Sequence, residues 1–69
     1  MEIKTEVAGT VWKIEVVVGA KVTAGDTLLI LESMKMEISI DAPRDGTVRE
    51  LRVAEKEVIR DGQVLLILD

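Results

Sequence analysis

The sequence predicts an all-β domain: a flattened antiparallel barrel-sandwich of about eight short strands in two quasi-symmetric halves. Three observations lead there. Of 69 residues, 24 are Val, Ile or Leu, with one Trp and no Phe or Tyr. Such β-branched and aliphatic side chains suit pleated, half-buried surfaces. Apolar residues recur with a period of two, and no i, i+3, i+4, i+7 stripe persists for three turns, so no helix is expected. Finally, the chain repeats itself. Residues 1–32 laid on 38–69 at an offset of 37 give ten identities without a gap. They pair Ile3 with Ile40, Gly9-Thr10-Val11 with Gly46-Thr47-Val48, Val16 with Val53, Gly25 with Gly62, and Leu28–Leu31 with Leu65–Leu68. Aliphatic bias explains some of these matches but not two glycines in register, so the halves should be equivalent about a pseudo-twofold axis.

The elements follow in order. A strand near 2–6 contains Ile3, the counterpart of Ile40. A second, near 10–16, sets Ile14 and Val16 at period two beside charged neighbours. A short strand near 20–22 lies between Gly19 and Gly25, and the apolar run Leu28–Leu31 makes the strand near 27–32. The segment 37–42 alternates polar and apolar, placing Ile38, Ile40 and Ala42 on one face until Pro43 ends it. The second half repeats the scheme near 46–52, where Leu51 and Val53 keep the period, then 57–59 and 64–68. No linker or composition break divides residues 1–69, so one domain is expected. A chain this short buries only about 60% of its unfolded surface.

Composition excludes several functions. Without cysteine or histidine there is no thiol nucleophile, disulfide, imidazole base or ordinary zinc site. A net charge of −4 with scattered Lys and Arg lacks the basic stripe of a nucleic-acid or anionic-membrane binder. The longest apolar runs, such as Val64–Leu68, are too short to span a bilayer. Glu2, Lys4 and Glu6 interrupt any opening signal segment, so the expected location is cytoplasmic. Gly25-Asp26 lacks the Lys-Ser/Thr and helix of a phosphate loop, and Asp26, Asp41, Asp45 and Asp61 lack metal-loop spacing. No metal is expected. Arg44, Arg49, Arg52 and Arg60 alternate with acids and read as a solvated face. Trp12 is read as covering one edge of the core rather than meeting a partner.

Between the halves lies Glu32-Ser33-Met34-Lys35-Met36-Glu37. It joins two strands and therefore forms a tight hairpin with Lys35 at or beside its tip. The turn has neither Gly nor Asn, the residues that ease such a connection. Something other than turn propensity selects Met-Lys-Met. Two thioethers on an exposed turn forgo the packing methionine normally provides, and flexible, polarizable groups at a surface suit a docking partner. A lysine amine attacks only when deprotonated, and the flanking Glu32 and Glu37 favour its charged form. Lys35 therefore reads as an acceptor modified by another enzyme, although an ordinary solvated lysine has the same spacing. Glu32 and Glu37 either contact that enzyme or keep a strand edge soluble.

This hexapeptide resembles the attachment signature of biotinyl domains, the carrier modules of biotin-dependent carboxylases, and the chain as a whole is most similar to small biotin/lipoyl attachment proteins. The resemblance spans essentially all residues. Gly19, Val22, Gly25, Asp26 and Leu28 fit the spacing before the signature; Ala42-Pro43, Gly46 and Val48 fit the segment after it. Lipoyl domains share the fold and repeat but typically carry acidic or small residues beside their lysine, so the methionines favour biotin. Ser33 stands where Ala is commonest, Ala20 where Asp often follows the glycine, and Lys56 where the second-half glycine is expected. No insertion leaves room for the protruding thumb of some bacterial carriers.

The resemblance implies biotin in amide linkage to Lys35, attached by a biotin protein ligase, with Met34 and Met36 as flanking recognition residues. It implies a non-catalytic monomer that serves biotin carboxylase and carboxyltransferase components. Two alternatives belong to other classes. One is a lipoate carrier of a 2-oxo-acid dehydrogenase or glycine cleavage system; the other is an unmodified barrel-sandwich scaffold.

Overall fold

Leu28, Leu29 and Leu31 and their counterparts Leu65, Leu66 and Leu68 have no exposed surface, and the rest of the molecule is arranged around them. The computed structural model describes residues 1–69 as eight strands and no helix. They are β1 (Glu2–Lys4), β2 (Gly9–Ile14), β3 (Lys21–Val22), β4 (Thr27–Ser33), β5 (Met36–Asp41), β6 (Gly46–Leu51), β7 (Val58–Ile59) and β8 (Val64–Leu68). All pairings are antiparallel, in two sheets of order β1-β8-β6-β3 and β5-β4-β2-β7. The expected barrel-sandwich is present, and each predicted strand lies within two residues of an observed one.

The repeat is a structural symmetry. Shifting by 37 turns β2 into β6 and β3 into β7 with identical bounds, and exchanges one sheet order for the other. Registers follow: Lys21↔Thr47 and Val22↔Gly46 become Val58↔Thr10 and Ile59↔Gly9. The ladder of β2 slips between Val11 and Lys13, and that of β6 at the equivalent place between Val48 and Glu50. Thirteen buried apolar residues from both sheets form one core, with Ile14, Val16, Ile38, Ile40 and Leu51 packed against it. This matches the faces predicted from the period of two.

Three local differences have physical causes. The first strand ends at Lys4, because Thr5 turns inward: its hydroxyl donates to Val7 O at 2.8 Å and accepts from Val7 N at 3.1 Å. The second ends at Ile14, where the chain leaves the ladder and Ile14 N donates to the Glu55 carboxylate at 3.0 Å. Trp12 does not cover the core. It is 52% exposed, because the bulge turns both Trp12 and Lys13 outward between the inward Val11 and Ile14. The arginines form the expected solvated face: Arg49 pairs with Asp69 at 3.7 Å, Arg52 pairs with Glu50, and all four are exposed.

Candidate functional site

β4 and β5 form the most extensive ladder, running from Thr27↔Asp41 to Ser33↔Met36. Two residues, Met34 and Lys35, remain to close it. Both have positive φ, 52° and 64°, the signature of a type I′ hairpin, whose twist matches that of the strands. The left-handed region costs a non-glycine residue about 1–2 kcal/mol. The fold imposes the turn, yet the sequence declines the Asn-Gly that would make it cheaply.

The strands beneath hold the turn rigidly. Gly9, at the start of β2, lies so close to β4 that a β-carbon there would run into Glu32 O. Its counterpart Gly46 stands in the same relation to Asp69 O, at 2.6 Å from an added β-carbon. Glycine is retained in both halves because backbone meets backbone.

Lys35 is exposed and takes part in no ion pair. Met34 is 92% and Met36 63% exposed, so neither is core. Glu32 and Glu37 face each other directly across the ladder, both exposed and unpaired with any cation. The structure thus brings together every site residue the sequence singled out. An accessible primary amine on a fixed turn can accept an acyl group in amide linkage, so the donor set fits a covalently held prosthetic group. No trio of acidic side chains gathers to hold a metal ion. Gly9 and Val58 adjoin the hairpin from β2 and β7 along a shallow groove ending at Met34; the sequence singles out Gly9, as a place of tight backbone approach, but not Val58. The repeat carried the signal: Gly9 recurs as Gly46, whereas Val58 has a charged counterpart, Lys21.

Comparisons agree with this geometry. The biotin/lipoyl family model, described as "Biotin-requiring enzyme", matches residues 1–68. A biotin/lipoyl attachment protein of Bacillus subtilis is 43% identical over 99% of this chain and 93% of its own. Pyruvate carboxylase of the same organism is 40% identical over 97% of this chain, which spans only 6% of that enzyme. The acetyltransferase component of the Acholeplasma laidlawii pyruvate dehydrogenase complex, a dihydrolipoyllysine-residue enzyme, is 39% identical over 88% of this chain and 11% of its own. Among solved structures, a single-chain, multi-domain long-chain acyl-CoA carboxylase superposes with a TM-score of 0.94 at 31% identity, over 99% of this chain and 7% of that one. An exposed lysine at the junction of a duplicated barrel, a family match along almost every residue and a small relative matched nearly end to end lead to one conclusion: the chain belongs to the biotin/lipoyl attachment family and is a non-catalytic carrier domain.

Proposed function

We propose that this single domain, residues 1–69, is a biotin carboxyl carrier, modified on Lys35 by a biotin protein ligase and serving biotin carboxylase and carboxyltransferase sites. One observation carries the proposal: Lys35 stands at the tip of a left-handed turn between two exposed methionines, where neither packing nor turn propensity asks for them. The carboxylase relatives support biotin as the group and the two enzymatic components as partners. The cytoplasmic location and monomeric state belong to the same proposal and rest on the sequence.

The chain's own residues have limited, definable work. Nζ of Lys35 attacks an activated acyl carbon, the bond to the leaving group breaks, and the amine's proton passes to a base of the ligase. Met34 and Met36 flank the amine with apolar, adaptable surface that the ligase recognises. The ladder beneath fixes the direction in which the arm leaves, so the acceptor loses little conformational entropy on docking. Biotin, once bound, supplies the carboxyl-carrying chemistry, and the protein supplies position. Tethering raises the arm's local concentration at any second site within reach.

A second reading, lipoate on the same lysine, is favoured by the 39% identity to the dehydrogenase component. Intact-mass measurement after co-expression with biotin protein ligase, and separately with lipoate ligase, decides. One biotinyl group gained by the wild type and lost in Lys35→Ala is the expected result. A lipoyl gain alone establishes the second reading, and no gain with either ligase leaves the unmodified scaffold.

A further inference from the structure

Because the fold is built twice, each half is a control for the other. Several positions the fold constrains carry the same residue in both halves, as Val11 and Val48 do in the core and Gly9 and Gly46 at the close approaches. On the outer face of the hairpin sheet, two exposed apolar residues have charged counterparts. Val58, on edge strand β7, is 76% exposed, and its counterpart is the exposed Lys21. Trp12, 52% exposed, corresponds to the exposed Arg49. The fold therefore accepts a cation at each place, and packing does not explain the apolar pair. Large apolar side chains left in solvent, Trp above all, are the kind that anchor protein partners.

Both lie on the side that carries Lys35. Directly opposed cross-strand residues point to the same face. Val58 opposes Thr10, Thr10 opposes Glu32, and Glu32 opposes Glu37, which makes one outward row directly below the hairpin. A groove connects Val58 and Thr10 with Ser33 and Met34. Trp12 lies two residues further along β2. At the acidic end of the row, Glu32 and Glu37 repel each other across the ladder, and a partner's cation there would relieve them.

We infer that the outer face of the β5-β4-β2-β7 sheet is the docking surface for the ligase that acylates Lys35, with Val58 and Trp12 as apolar anchors and Glu32–Glu37 as its acidic edge. This rests on the carrier reading above. The ligase is the partner whose active site must reach Lys35 Nζ itself, whereas enzymes that use the finished arm meet its far end. Attachment therefore covers the face adjoining the hairpin, and the matching ligase surface offers an apolar patch beside Lys or Arg.

The test is initial-rate biotinylation of the full chain by a purified biotin protein ligase, with the chain's concentration varied. One double variant, Trp12→Arg with Val58→Lys, gives each position its repeat counterpart, which the same backbone already accommodates. A second, Trp12→Ser with Val58→Thr, removes the apolar surface without adding charge. Both are expected to melt cooperatively and to raise KM about tenfold with kcat unchanged. Val18→Glu replaces another exposed valine by its counterpart's residue, on a loop bonded to β6 of the other sheet, and leaves KM unchanged. A wild-type KM in the neutral double variant, or an equal rise in Val18→Glu, overturns the docking surface while the carrier reading stands. A wild type that the ligase does not label overturns both.

Discussion

Lys35 and Met34 occupy backbone that suits Gly and Asn, and the strain is local to the turn. Replacing Met34 by Asn together with Lys35 by Gly should stabilise the chain by about 1–2 kcal/mol in urea unfolding while abolishing attachment. A loss of stability would show that the methionine or lysine packs in a way the exposed geometry denies. Met34→Leu and Met36→Leu, in contrast, should shift stability by less than about 0.5 kcal/mol, because neither side chain is buried. These residues were legible from the sequence alone, since an apolar pair on a two-residue turn contradicts both packing and turn chemistry. Trp12 was not, because hydrophobicity alone puts a tryptophan inside, and a bulge that turns two successive side chains outward leaves no mark in the period of two. Its repeat counterpart, Arg49, was the available clue.

At the scale of elements, the repeat made the strands legible: once Gly9-Thr10-Val11 is matched to Gly46-Thr47-Val48, the bounds of β2 and β3 carry over to β6 and β7. Strand ends were less so, because Thr5 leaves the first strand through a side-chain hydrogen bond that no periodicity announces. Symmetry also locates strain. Lys56 stands where the first half has Gly19 and keeps its positive φ, 73° against 93°. Lys56→Gly should therefore stabilise the fold by about 0.5–1 kcal/mol, the relief of left-handed strain exceeding the entropic cost of glycine. An unchanged or lower denaturation midpoint would contradict that balance. Gly9→Ala should destabilise by about 2 kcal/mol or more, because its β-carbon meets the Glu32 carbonyl and separates β2 from β4 under the hairpin. Circular dichroism melting of that variant beside Gly46→Ala should show similar losses, since the two sites are equivalent.

The whole molecule measures 30 × 19 × 17 Å and has one aliphatic core shared by both sheets. It has neither cysteine nor histidine, and its symmetry is broken at the hairpin joining the halves. Five lysines lie on the surface, at positions 4, 13, 21, 35 and 56, so chemical exposure alone does not distinguish them. Lys35 is the proposed acceptor, by its place on the hairpin turn. Peptide mass mapping of the intact chain after treatment with biotin protein ligase tests this directly. Biotin is predicted on the peptide containing Lys35 and on no other. Biotin spread over several lysines, or found on a different one, would contradict the assignment.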